Sequence, residues 1–353
     1  MPCHTDEPSY LEILYNRAYN RIPVPRISPM THAMSTRLVI PMLSATLITA
    51  GLATSFVPVF GAPQATVRPG LTEARPASLP SEPPSNAEIN IRSQKLIANQ
   101  HRDDEVRQQY ERIERHRNFT AGPNPHAIED KTYRVVPTGT GSLKILLKDN
   151  GTPTDPAEYR RQLQAWEDVL ELMLKPNDSR AKTAYEKYNK RQHERSELVD
   201  AMITAFATRW LRQETVNGYS CDVFELTPKP NFHPKSMFED ALTHVTAKIW
   251  VDHDSNQLVR GEAHIMRDIS FGGGILGKLY RGGVFSMEQS EVEAGIWEPT
   301  RYQYDFEGRK FLFTFEEHQI IEANHYRRVG PPREALIVVQ NELASGKAPT
   351  NDP

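Results

Sequence analysis

HVTAKIWVDHDSNQLVRGEAHIMRDI, residues 244–269, decides the fold of this chain. Val245, Ala247, Ile249 and Val251 alternate with His244, Thr246, Lys248 and Trp250. After the polar run Asp252-His253-Asp254-Ser255-Asn256, the same period resumes through Val259, Ala263, Ile265 and Ile269. A period of two places successive side chains on opposite faces of a strand. The connection is far too short for a parallel crossover, so the two strands pair antiparallel.

The rhythm extends in both directions. From Thr208 onward it recurs in 209–215, 219–227, 284–292, 297–306 and 311–326, which with the opening pair makes seven segments. Asn217-Gly218, Ala294-Gly295 and Glu307-Gly308-Arg309 are short turn signals between them. Pro228, Pro230 and Pro234 close the second segment, because proline has no N–H to give a ladder.

Upstream the period changes. Residues 91–117 are charged and helix-permissive, although 110–115 suit the start of a strand equally well. Segments 131–136 and 142–148 read as a strand pair. Asp155 as N-cap, Pro156 at the first helical position and Glu158 beyond it open a helix, with Leu163, Trp166, Val169, Leu170 and Met173 at helical spacing. A second helix follows Asn177-Asp178-Ser179. Its first half is nearly all charged, whereas Leu198, Val199, Met202, Ile203 and Phe206 line one face of its end. The expected domain is therefore α+β: a large curved antiparallel β-sheet over 91–330, an incomplete barrel covered by helices, with the helical insertion at about 155–207. Residues 331–353 read as a C-terminal tail.

A long twisted sheet with one apolar face has to curl or be covered. Either the helices fill the concavity or it encloses a ligand. Tyr302, Tyr304 and Phe306 share a parity, as do Phe311, Phe313 and Phe315, so these six are the expected lining; ordinary core packing is the rival role for each.

Near the front, residues 34–65 carry Arg37, an apolar run over 38–52 and small residues near Gly61 to Ala65, the layout of a secretory signal peptide. Residues 1–33 read as a misassigned start, so that 1–65 form an extension and signal. A retained membrane anchor is the rival reading, but Pro41, Ser44, Thr46, Thr49 and Gly51 interrupt the run. The Pro-, Ser- and Ala-rich stretch 66–90 reads as a disordered leader. The expectation is an exported, periplasmic protein whose membrane contact is transient unless that segment stays. Of the two cysteines, Cys3 falls in the extension before the signal segment and Cys221 in a strand-like run, where it reads as a buried small hydrophobe.

Net charge is −3 with 42 Lys and Arg against 45 Asp and Glu, scattered without a basic block, which argues against nucleic-acid binding. Gly272-Gly273-Gly274-Ile275-Leu276-Gly277-Lys278 fits half of a phosphate loop, but Leu279 stands where Ser or Thr must hold the metal, between antiparallel strands. No Gly-x-Ser-x-Gly occurs. The histidines lack ligand spacing, although His244 and His264 on adjacent strands, with Asp268, are where a hydrolase cleft would form. No cofactor, metal or catalytic residue is expected.

The run from Phe206 to Tyr326 resembles the outer-membrane lipoprotein-sorting proteins, the LolA/LolB-like carriers, and poorly characterised exported bacterial proteins related to them. The likeness rests on Trp250 and Asp252 before a hairpin, Leu258-Val259 opening the next strand, and Trp297 with Pro299. It implies an incomplete barrel with an apolar hollow for acyl chains, and a carrier or chaperone whose partner is a lipid, an acyl chain or a lipoprotein. The charged 177–198 segment has no counterpart in that pattern. A cell-envelope scaffold docking another protein, without a ligand cavity, is the alternative.

Overall fold

The computed structural model of the chain describes residues 83–346. The signal segment, the residues before it, most of the leader and Cys3 lie outside the described residues.

A helix the leader reading does not contain begins the described chain. Helix α1, Asn86–Val106, starts at Ser85, whose hydroxyl accepts from the Glu88 N–H while the Glu88 carboxylate accepts from the Ser85 N–H. This reciprocal cap satisfies two otherwise orphaned donors and sets the helix start inside the stretch expected to be disordered. The chain then enters β1, Tyr110–Phe119, followed by β2, Ala127–Pro137, β3, Ser142–Asp149, and the two-residue β4, Thr152–Pro153. Helices α2, Pro156–Met173, and α3, Ser179–Ala205, come next; Asp155 caps α2 through the N–H groups of Ala157 and Glu158.

The second half supplies β5, Phe206–Val216, β6, Tyr219–Pro228, a short helix α4, Met237–Leu242, β7, Val245–Asp252, and β8, Leu258–Ile265. A small ribbon of β9, Ile269–Phe271, and β10, Gly277–Leu279, precedes β11, Val284–Glu293, β12, Ile296–Lys310, and β13, Phe313–Arg328. The glycine-rich stretch is thus a hairpin, with Gly277 opposite Phe271. The chain ends in α5, Pro332–Ser345, where a tail is expected. Ala335, Val339 and Leu343 repeat every four residues and bury one stripe of α5 against α2, and that docking orders the segment.

All thirteen strands form one open antiparallel sheet, ordered β4-β3-β2-β1-β13-β12-β11-β8-β7-β6-β5, with β10 joined to β12 and β9. The order is not a plain meander. The chain begins in the middle, steps to one edge, crosses by α2 and α3 to the other edge, and returns to pair β13 with β1.

The two faces are packed at opposite ends. On the inner face, α1, α3 and α4 bring Ile89, Leu198, Ala205, Ala241 and Leu242 onto Phe224, Leu226, Ala247, Ile249 and Val251. On the outer face of β2 and β3, α2 and α5 close over Val136 and Ile145 with Trp166 at the centre, 0% exposed. Trp250, Val259, Trp297, Cys221 and Val223 make a third cluster on the outer side of β6 to β8. Helix α3 links the two ends: Ala181 packs with Val169, Leu172 and Met173 of α2, Arg191 donates to the Thr140 carbonyl, and Ala205 reaches the main core. At about 1.5 Å per residue, 27 residues span about 40 Å, enough to roof the inner face.

Candidate functional site

The inner face beneath this roof carries the aromatic residues singled out above. Cross-strand register sets Tyr302 opposite Ile321, Tyr304 opposite Gln319 and Gly308 opposite Phe315, so the β12 and β13 side chains at these positions share one face. Their rings touch in sequence. Tyr302 and Tyr304 stack with centroids 6.2 Å apart, Tyr304 meets Phe306 edge-on at 6.1 Å, and Phe306 meets Phe315 edge-on at 6.3 Å. Phe285 of β11 joins the row at 5.2 Å from Tyr304. Offset and edge-on pairs are the geometries that ring quadrupoles favour. Two glycines make room: a Cβ at Gly283 would meet the Phe306 Cβ at 2.8 Å, and one at Gly308 would meet the Phe315 ring at 2.7 Å.

The structure does not bring all six residues together. Tyr302, Tyr304, Phe306 and Phe315 form the row, with Tyr304 only 8% exposed. Phe311 and Phe313 stand outside at the β12–β13 turn, 52% and 79% exposed, with Leu312 between them at 87%. Phe311 takes a positive φ of 52°, which breaks the alternation that placed it on the same parity. Its N–H donates to the Leu276 carbonyl at 3.3 Å, joining this turn to the β9–β10 loop, where Ile275 and Leu276 are also exposed. The two loops make one apolar tip at the outer end of the row.

The inner end is charged. On β1, Arg112, Glu114 and His116 face the same side as the aromatic row, since Glu114 pairs with Ala323 and His116 with Ile321. Arg112 Nε donates to Glu114 at 2.7 Å, and His116 Nε2 lies 2.6 Å from the other carboxylate oxygen. Burial would raise the Glu114 pKa, but the Arg112 guanidinium, the His116 hydrogen bond and Lys144 hold it well below the usual carboxylate range. Burial lowers the His116 pKa, against the opposing pull of Glu114. Arg107, at the end of α1, bonds the buried Glu298 at 2.8 Å.

Tyr302 lies between the charged end and the rest of the row. Burial raises its phenol pKa, against the pull of Arg107, Arg112 and Arg195, yet the side chain is not closed off and retains accessible surface. Tyr302, Phe285, Phe306 and Phe315, each partly buried, pack against the main core of the inner face. Cavities of about 270 Å³ beside Tyr159 and Leu343 and about 500 Å³ beside Met173 and Tyr185 lie at the helices and away from this row.

No family model and no curated protein matches the chain. Among solved structures it resembles a lipoprotein-sorting protein domain from Vibrio parahaemolyticus at 10% identity, covering 70% of this chain and 99% of that one with a TM-score of 0.30. A LolA superfamily protein from Nitrosomonas europaea follows at 13% identity, with 69% and 96% coverage and a TM-score of 0.28. A DUF1329 family protein from Desulfovibrio piger has 13% identity, 67% and 92% coverage and a TM-score of 0.24. At such scores no residue or ligand is carried across, and the site stands on its own geometry.

The residues of the hypothetical hydrolase cleft are engaged separately. His244 lies 3.7 Å from Asp240, His264 is opposite Thr246 on β7, and Asp268 pairs with Lys278 at 2.8 Å and accepts from the Arg281 N–H. Among the described residues no group of three His, Cys, Asp or Glu is placed to hold a metal ion, and no helix is long and apolar enough to cross a membrane. Sequence reading missed the charged end. Its one signal, the alternation Arg112, Glu114, His116, is a strand period written in charges rather than apolar residues.

Proposed function

We propose that this protein is a non-enzymatic carrier of the periplasm that holds an acyl chain of a lipid or lipoprotein on the inner face of its open sheet, along Tyr302, Tyr304, Phe306 and Phe315. The observation that carries this reading is the row of touching rings on the inner face, in which Tyr302, Phe306 and Phe315 stay only partly buried. From Tyr302 to Gly308, opposite Phe315, the row runs about 20 Å at about 3.3 Å per residue, longer than one leaflet's share, about 15 Å, of a bilayer's hydrocarbon core. Each methylene it removes from water contributes about 0.8 kcal/mol, so a short chain suffices for useful affinity. Phe311 and Phe313 then serve as the lip of the row, in the apolar tip where a chain passes between a membrane and the protein.

The tip also favours a second reading, an envelope scaffold, because contiguous exposed apolar residues mark docking surfaces. Native mass spectrometry of the chain purified from its envelope under mild conditions separates the two. Adducts of lipid mass support the carrier; bare protein that also takes up no 1-N-phenylnaphthylamine, a neutral apolar probe, contradicts it and leaves the scaffold.

A further inference from the structure

Ile275 and Leu276 of the β9–β10 loop and Phe311, Leu312 and Phe313 of the β12–β13 turn stand exposed at one end of the sheet. The backbone that carries them is braced. The Phe311 N–H donates to the Leu276 carbonyl at 3.3 Å, the Leu276 N–H to the Phe271 carbonyl at 3.2 Å, and the Arg309 guanidinium to the Gly274 carbonyl at 3.2 Å. Loop and turn are tied to each other, so the apolar side chains are presented together rather than scattered singly.

Charge along the four adjoining strands is ordered by distance from this tip. The rung next to the turn runs Phe271, Gly277, Lys310, Phe313, and the rung behind it Ser270, Lys278, Arg309, Thr314. Both rungs together hold three cations and no carboxylate. The third rung, Ile269, Leu279, Gly308, Phe315, has no charge. Acids on β12 and β13 begin with Glu307 opposite Glu316, about 10 Å behind Lys310 at about 3.3 Å per residue. Asp268, preceding β9, reaches Lys278 at 2.8 Å and offsets one of the cations.

We propose that this end is a bilayer-insertion tip whose partner is a membrane surface containing anionic phospholipid. The exposed apolar side chains enter the acyl boundary, and Lys278, Arg309 and Lys310 meet the phosphate layer. The order apolar, cationic, acidic matches the order hydrocarbon, phosphate, water across a leaflet. Two rungs are about 7 Å deep, within the 5–10 Å by which interfacial elements penetrate, so Glu307 and Glu316 stay on the water side. Long basic side chains can lie along apolar surface and still carry their charge to the phosphates. A fluid layer also accepts side chains as exposed as Leu312 and Phe313 without a preformed socket. The inference rests on the carrier reading for its purpose and adds the surface at which the carrier loads or delivers, together with the charge that surface must bear.

The test is flotation of the full chain with vesicles of phosphatidylcholine alone and of phosphatidylcholine and phosphatidylglycerol in equal parts. Each basic residue near an anionic surface strengthens binding about fivefold, so partition into the anionic vesicles is expected to be at least tenfold stronger, and added salt to reduce the difference. Lys310→Gln is expected to lose about fivefold on anionic vesicles and to change little on neutral ones, with Lys310→Arg restoring the parent value. Ile275→Ser with Leu312→Ser, both at exposed positions, is expected to weaken binding to both vesicles. Equal partition of the parent into the two vesicles, or undiminished binding of the double variant, overturns the inference. Flotation with neither vesicle also overturns it and leaves a protein as the occupant of the tip. Binding of 1-N-phenylnaphthylamine without vesicles reads the carrier activity separately: its loss in a parent that still selects anionic vesicles overturns the carrier reading and not the membrane contact.

Discussion

Phe315 packs against the place where Gly308 lacks a side chain: a Cβ there would stand 2.7 Å from the ring and 2.6 Å from the Lys278 carbonyl oxygen. The ring can close the outer end of the aromatic row because its cross-strand neighbour is glycine, and because β10 crosses directly behind. Gly308→Ala has to move either the ring or the β10 backbone. It is expected to lower stability by about 1–3 kcal/mol, the usual cost of overpacking, and to weaken probe binding. Urea melts and 1-N-phenylnaphthylamine titration check both; an unchanged midpoint with unchanged binding contradicts the packing described.

Acid sensitivity follows from the charged end. The His116 pKa is lowered mainly by burial, so the unfolded chain takes up its proton near pH ~6.5 while the folded protein resists it. That contribution is present above ~6.5 and is lost as pH falls through the lower folded value. Glu114, whose pKa is also lowered in the fold, contributes stability above ~4.3 that is lost as pH falls toward its folded value. Both have the same sign. The Tm is expected to fall from pH 7 to 5, and His116→Gln to flatten that arm of the curve. Parallel curves for variant and parent would refute the assignment.

Trp166 fixes the outer cluster. It is fully buried and its indole N–H donates to the Pro137 carbonyl at 2.9 Å. Trp166→Phe leaves that carbonyl unpaired and is expected to cost about 1–3 kcal/mol in equilibrium unfolding. Removing residues 331–353 strips α5 from Tyr159, Leu163 and Trp166 and is expected to cost more than the point change. A truncated chain as stable as the parent would show that α5 does not belong to this core.

The tip behaves differently. Leu312 and Phe313 are nearly free of protein contact, so Leu312→Ser with Phe313→Ser is expected to leave stability within about 0.5 kcal/mol. Lipid uptake from vesicles of phosphatidylethanolamine and phosphatidylglycerol should slow. Unchanged uptake would remove the tip from the path.

Cys221 is expected to resist alkylation. Burial, with Asp252 adding to it, pushes its thiol up to about 12, so almost no thiolate exists at neutral pH. Rapid labelling of the native protein at pH 8 would contradict this.

Much of the sheet was legible because strands with one wet and one dry face write their period in apolar residues; β7 and β8 show it plainly. β1 was harder, since YERIERHRNF carries its inner face as Arg112, Glu114 and His116, which pair with one another along the strand and with Lys144 of β3. Helices α1 and α5 were written in the sequence as well, in the Ser85–Glu88 cap and in the Ala335, Val339, Leu343 spacing. α1 begins inside the proline-rich stretch read as a disordered leader, and α5 lies where a C-terminal tail is expected. Parity placed Tyr302, Tyr304 and Phe306 correctly on one face, but it carries no information about Phe311, whose left-handed backbone ends the alternation. The pairing of β1 with β13 joins residues some 200 positions apart and has no local signature.

The most direct measurement is photolabelling of the full chain with a diazirine-bearing palmitate analogue, followed by peptide mapping. Labels concentrated on Tyr302, Tyr304, Phe306 and Phe315 are the expected result. Labels confined to the outer cluster of Trp250 and Trp297 or to the Phe311–Phe313 turn, with the inner face untouched, would contradict the claim that an acyl chain lies under the roof.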